Sequence, residues 1–332
     1  MAHFEETGPR SPVVEPTRVD KVHPRAKWGK TIRVIVVVII TFIMLIPVLV
    51  MIMTAFKSRA DIVTPPPKVF FHPTLEGFLY LFTDRALLNQ GNLAAAQANP
   101  GELNYWEQLA LKNGQAITGT SDYVGRLKNS VIIAGTSTIL SVVLGLFAAY
   151  AFSRFKVAGK DDLLFFILST RMLPGVVVTI PLFLLYKQLG WNDTHIGMII
   201  LYTAFNLSFS VWLLKGFIDE IPVEYEEAAL VDGYTRLQAF FRIVLPQAVN
   251  GIAATTVFCL IFAWNEYAFA LMLTSEKART APPSIATMLG SGGLEWSAIA
   301  AGSLGFLIPV VIVTFVLRDY LLRGVTFGAV RK

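Results

Sequence analysis

Apolar positions gather into six long runs, at 34–55, 129–152, 163–186, 196–217, 251–273 and 298–317. The hydrocarbon core of a bilayer takes roughly 20 helical residues to cross. In lipid the backbone must bond to itself, so each run predicts a transmembrane helix. Polar positions divide the rest of the chain. Residues 1–30 predict a disordered tail and 31–56 a first helix. Residues 57–125 predict an external segment with an insertion at 84–122. A membrane core follows over 126–320, holding a polar loop at 218–246, and 321–332 form a tail. Within the external segment, Thr64-Pro65-Pro66-Pro67 predicts a stiff extended linker. Residues 75–82 predict a short apolar helix. The insertion is rich in Asn, Gln, Ala and Gly, and two readings of it are open: a floppy insertion, or a small subdomain. Trp106, Leu109 and Leu111 favour the second, since they supply something to bury.

Composition agrees with the pattern, at 54% hydrophobic and 15% charged residues. The net charge of +5 raises nucleic acid as a partner, but the distribution argues against it. Arg10, Arg18, Lys21, Arg25, Lys27, Lys30 and Arg33 precede the first run. Arg154, Lys156 and Lys160, then Lys215, Arg236 and Arg242, and finally Arg318, Arg323, Arg331 and Lys332 recur on alternate connections. Positive flanks mark the cytoplasmic side. They place both termini, and the loop 218–246, in the cytoplasm. The polar leader exceeds what a signal peptide carries, so the first run reads as a retained span.

The loop 218–246 has its own punctuation. Pro222 suits a first helical turn. Glu224, Glu226 and Glu227 then favour the positive helix end, and Gly233 suits a left-handed C-cap. Thr235 with Gln238 spells a capping box opening a second helix, which Pro246 ends. Ala228 and Ala229 leave the backbone open to close approach by another surface. Two readings follow from this: an ordinary capped connection, or two short rigid helices that pass a push into the membrane.

The spacing at Glu227, Ala228, Ala229, Gly233, Ile243, Leu245 and Pro246 resembles the signature loop of permease subunits of ABC importers. Asn129-Ser130, Arg171-Met172-Leu173-Pro174, Ile180-Pro181-Leu182 and Trp264-Asn265-Glu266 resemble the carbohydrate-uptake branch, of maltose-permease type. The resemblance covers about 30–83 and 123–332 and leaves 84–122 outside. It implies an all-α integral membrane fold with six transmembrane helices, of the type I importer permease kind. It implies a bacterial inner-membrane, non-catalytic translocation subunit for a sugar, oligosaccharide, polyol or related glycoside. Implied partners are a second, different permease, two cytoplasmic ATPase subunits and an external solute-binding protein. ATP and Mg would reside on the ATPases, with no cofactor in this chain. Glu226, Glu227, Ala228, Ala229, Asp232, Gly233, Ile243, Leu245 and Pro246 would form the ATPase-coupling loop.

No nucleotide, metal or nucleophile motif appears in the sequence. Gly29-Lys30-Thr31 lacks the glycine a phosphate loop needs, having Pro24 there. His3, His23, His72 and His195 lack metal-ligand spacing. Cys259, alone in an apolar run, reads as a small buried residue. Asn192-Asp193-Thr194 is a glycosylation tripeptide by pattern only.

An ionisable group within a span costs about 2.5–3.5 kcal/mol on insertion, so each needs a reason. Arg171 and Glu266 lie at different depths, which argues against a mutual pair. Facing a translocation cavity and bonding to a neighbouring helix are both open for Glu266; the second is favoured for Arg171. Tyr202, Asn206, Trp264, Asn265 and Tyr267 complete the translocation-path candidates, offering the donors, acceptors and aromatic faces that sugars need. Pro174 and Pro181 predict a kink in the third helix. An ion-gradient-driven carrier using Arg171 and Glu266 is the alternative function.

Overall fold

The computed structural model describes residues 24–66, 68–93, 103–290 and 293–327. The expected tail at 1–23, Pro67, residues 94–102 of the insertion and the last five residues lie outside them. Two units are distinguished, Met1–Val50 and Met51–Lys332. Helix Pro24–Ala55 begins in the first, so residues 24–30, expected in the tail, are helical. A run such as Val36-Val37-Val38-Ile39-Ile40 disfavours helix in water. Lipid leaves the backbone no better way to satisfy itself.

Among the described residues, four helices are long and apolar enough to cross a membrane, or six if each of two bent pairs counts as one span. The four are Lys30–Ala55, Tyr123–Arg154, His195–Asp219 and Trp296–Arg318. The last helix continues to Phe327, so most of the expected tail at 321–332 extends that helix.

Two of the expected spans are interrupted. The third divides into Lys160–Ser169, a tight turn Thr170–Met172 and Gly175–Leu189, with a 92° bend. Pro174 pushes Leu173 into extended backbone, which ends the helix. Pro181 lies inside the following helix. The fifth is Val249–Trp264, interrupted at 265–267 and followed by the short helix Ala268–Leu273.

Pro246 does not end the second loop helix as expected. The chain stays helical from Arg236 to Gln247 and bends by 74° into Val249–Trp264. A π-turn at Phe240–Val244 precedes the proline, with the Leu245 N–H reaching Phe240 O. The proline lacks an N–H, and its ring crowds the carbonyl four residues back; a widened turn relieves both.

Small residues set the packing in the centre of the second unit. A Cβ on Gly145 would come 2.5 Å from Ser210 Cβ, so helices Tyr123–Arg154 and His195–Asp219 meet closely there. Ser141 donates to Thr203 O at 3.2 Å across the same seam. Cys259 is fully buried in an apolar cluster with Leu214, Phe240 and Val244, as expected of a small core residue.

The insertion contributes strand β1 (Thr83–Leu87), helix Tyr105–Lys112 and strand β2 (Gln115–Thr120). The strands pair antiparallel, with a register shift between Asp84 and Arg85. Asn104 and Glu107 close a capping box on the helix. Ala110 packs with Leu79, Tyr80 and Ala298, and Leu109 joins them. A mostly helical fold thus carries a two-stranded antiparallel ribbon where the resemblance stops, besides the short pair Leu289–Gly290 with Gly293–Leu294.

Candidate coupling surface and membrane cavity

The polar loop folds into helix Glu224–Val231 and the path from Arg236 to Gln247. Gly233 takes φ +89, a left-handed backbone that favours glycine. The Tyr234 N–H bonds Ala229 O at 3.0 Å and the Gly233 N–H bonds Leu230 O at 3.1 Å. Those two bonds are the Schellman closure of a helix C-terminus. Thr235 and Gln238 form both bonds of the capping box.

The fold gathers much of the signature around one open groove of about 590 Å³. Ala228, Ala229, Asp232, Tyr234, Ile243 and Gln247 line it. Glu227 and Gly233 are exposed beside it. Val231 at 88% and Leu237 at 62% exposure are apolar side chains standing free on the same loop. Leu245 is half-buried and packs inward, and Pro246 is exposed.

Glu226 is placed differently from its neighbours. It is buried, and its carboxylate accepts from Tyr150 Oη at 2.8 Å and pairs with Arg154 Nε. Arg154 also donates to Ile218 O at 3.1 Å and Ile221 O at 2.8 Å. Glu226 therefore ties the loop helix to the ends of helices Tyr123–Arg154 and His195–Asp219. Charge distribution assigns Arg154 only a sidedness; its role as clasp needs the three-dimensional fold.

A second site lies in the membrane core. Arg171, Tyr202, Asn206 and Glu266, with Phe205, Phe262 and Phe269, line a cavity of about 110 Å³. Four of the seven path candidates thus come together. Glu266 accepts from Tyr202 Oη at 2.6 Å and from the Phe269 and Ala270 N–H groups at 2.8 and 3.0 Å. It caps the short helix after the break and bonds a hydroxyl of a neighbouring helix, while also lining the cavity. Asn206 donates to Cys259 O at 3.0 Å.

Among the described residues Arg171 makes no bond to a neighbouring carbonyl or hydroxyl, contrary to the favoured expectation. Its guanidinium lies 4.6 Å from the Phe262 ring centroid, and its Nη2 is buried without a hydrogen-bond partner. The aromatic face offsets part of the burial cost. The other three candidates lie off the cavity. Trp264 stacks on Phe306 at 4.8 Å and donates to Phe306 O. Asn265 bonds back to Ile261 O, and Tyr267 is exposed. The lining phenylalanines carry no sequence signal of their own, since they resemble any apolar span residue.

At the far end of the core, Asp193 has a left-handed backbone, φ 54. Its carboxylate gathers the N–H groups of Ser275, Glu276, Lys277 and Ala278 at 3.0–3.2 Å. Burial pushes that carboxyl up, but the four N–H bonds outweigh it and hold the group well below the usual carboxylate range. Asn129, from the sugar-branch stretches, bonds Lys277 O and Arg279 O at 3.0 Å, and His195 at 2.8 Å. Ser130 accepts from the Ala281 N–H at 2.8 Å. These residues hold the loop after the fifth helix rather than a ligand.

Residues 141–327, more than half of the chain, match the family described as binding-protein-dependent transport system inner membrane component. The chain belongs to this family. A probable ABC transporter permease of Sinorhizobium fredii is 31% identical, with 88% of this chain and 92% of the relative covered. The trehalose/maltose transport system permease of Thermococcus litoralis is 34% identical over 64% of this chain and 77% of its own. The trehalose transport permease of Mycobacterium tuberculosis is 38% identical over 62% and 76%. A crystal structure of a bacterial ABC transporter involved in import of the acidic polysaccharide alginate covers 94% of this chain and 100% of its own. Its TM-score is 0.60 at 19% identity, a likeness of fold. The chain is thus a multi-pass membrane permease subunit of an ABC importer with the type I fold, and the ion-gradient reading gives way.

Proposed function

We propose that this permease carries a carbohydrate and is driven by ATPase subunits seated on the loop between Pro222 and Pro246. The observation that carries the reading is the groove. Ala228, Ala229 and Ile243, spaced as in the importer signature, converge with Asp232 on one open surface. Free apolar side chains stand at its rim, and a clasp of Glu226 and Arg154 ties it to two long helices. A force applied there is transmitted because neither short helix can yield independently.

The substrate class rests on relatives whose names record trehalose and maltose transport. The membrane cavity is consistent with it, since Tyr202, Asn206 and Glu266 offer donors and acceptors beside aromatic rings. The chain itself is non-catalytic; ATP and Mg are held by the ATPases. A second, different permease supplies the opposite wall of the path. An external binding protein delivers the sugar, and both termini are cytoplasmic.

Gly233→Asp tests the coupling. The left-handed backbone disfavours any side chain by about 1–3 kcal/mol, and the added carboxylate alters the docking rim. A Cβ there meets nothing within 4 Å, so the core is undisturbed. Sugar uptake by membrane vesicles is expected to fall at least tenfold, with the amount of chain in the membrane unchanged. Uptake at the parental rate would overturn the proposal.

A further inference from the structure

A polar cavity of about 620 Å³ lies where the paired strands β1 and β2 meet the start of helix Tyr123–Arg154. That is the end of the helix opposite Arg154 and the coupling loop. The volume falls within the roughly 300–1,000 Å³ of small-molecule sites. Tyr80, Asp84, Arg85, Asp122, Arg126 and Glu295 are among its lining residues.

Local geometry points side chains into this space that regular structure would turn away. Successive residues of a strand face opposite sides. Asp84 and Arg85 nevertheless line the same cavity, because the register shift between them re-aims one of the pair. The Arg85 guanidinium then stacks 3.6 Å from the Tyr80 ring centroid, which fixes its direction. Its Nε and Nη1 are buried without hydrogen-bond partners, as are Arg126 Nε and Glu295 Oε2. A buried unpaired polar atom costs about 1–3 kcal/mol. Four around one cavity mark a surface built to be completed by something that both donates and accepts.

Charge then decides which class of ligand completes it. Arg85 and Arg126 face Asp84 and Asp122, while Glu295 is paired with Arg59 at 3.2 Å. The lining thus carries two guanidiniums against three carboxylates, and only the Arg59 outside it brings the site to formal neutrality. An anion would satisfy the guanidiniums but meet a larger number of carboxylates, and it would leave Glu295 Oε2 without a donor. Hydroxyl groups serve both kinds of atom.

We propose that this cavity binds a neutral saccharide, at a site separate from the membrane cavity and built in part on the 84–122 insertion. In the importer it lies on the side away from the ATPase surface, where sugar arrives.

The test is saturation-transfer NMR and calorimetry on the detergent-purified full chain. Maltose and trehalose serve as neutral probes, galacturonate and inorganic phosphate as anionic ones. Saturable binding of a neutral disaccharide is expected, weakened at least tenfold by Arg126→Gln and unchanged by Tyr202→Phe. Asp84→Asn, an exposed position, gives the same reading should Arg126→Gln fail to fold. Absence of saturable binding by either disaccharide overturns the inference, as does preference for galacturonate or phosphate. Binding lost in Tyr202→Phe but kept in Arg126→Gln assigns the signal to the membrane cavity. That outcome overturns this site and leaves the proposed function standing.

Discussion

The Glu226–Arg154 pair decides how the loop 218–246 is held. Both side chains are only 5% exposed, and each is satisfied beyond the pair, by Tyr150 on one side and two backbone carbonyls on the other. A buried pair of this kind adds little net stability over a well-packed apolar pair, but breaking it strands a charge. Glu226→Ala is therefore expected to cost about 3–5 kcal/mol, because Arg154 stays buried with no counter-charge. The double variant Glu226→Leu with Arg154→Met is expected to recover most of that loss. Thermal unfolding in mild detergent measures both. A double variant as unstable as Glu226→Ala alone would mean that the surrounding bonds, not the charges, hold the loop. The double variant also separates stability from coupling: it stays folded, yet its uptake is expected to drop, since an apolar contact lacks the direction of the ionic clasp.

At the scale of elements, periodicity and punctuation made the long helices legible, and the breaks less so. The capping box at Thr235 and the glycine elbow at Gly233 fold as written, because both are local devices whose partners lie within a few residues. The 92° bend after Met172 is only half written. Pro174 marks a stop, but the direction of the outgoing helix depends on what it packs against. The cavity was partly legible for the same reason. Arg171 and Glu266 stand out as charges in apolar runs, whereas the role of Trp264 as a stacking partner of Phe306 depends on a helix 42 residues away. The pairing of β1 with β2 was hidden too, since it spans the whole insertion. Small residues carry a similar ambiguity, and the structure separates two glycines of one helix. Gly145 sits against Ser210, whereas a Cβ on Gly135 would meet nothing within 4 Å. Gly145→Leu should wedge the helix pair apart and cost about 1–3 kcal/mol. Gly135→Leu should melt within a degree or two of the parent, as a lipid-facing or open position allows. Equal effects at the two sites would mean that helix propensity, rather than close approach, governs both.

For the whole molecule, the membrane cavity and the coupling surface share one lever. Helix His195–Asp219 carries Tyr202 and Asn206 at the cavity and Ile218 at the clasp, about 18–24 Å away along its axis at 1.5 Å per residue. Motion at the loop thus reaches the polar path without crossing a flexible joint. Yet the cavity, at about 110 Å³, is well below the roughly 300–1,000 Å³ that holds a small molecule. A sugar path needs a facing wall, and the mixed polar lining of one chain needs complementary groups opposite it. Native mass spectrometry of the complex, purified in mild detergent with its genomic neighbours co-expressed, is expected to show one copy of this chain, one different permease and two ATPase subunits. Two copies of this chain with the ATPases would overturn the heterodimer and place a symmetric pair of Glu266 carboxylates around the path. Like charges so placed would raise the barrier to an anionic cargo while leaving a neutral one free to pass. The subunit count therefore also constrains which sugars the path admits.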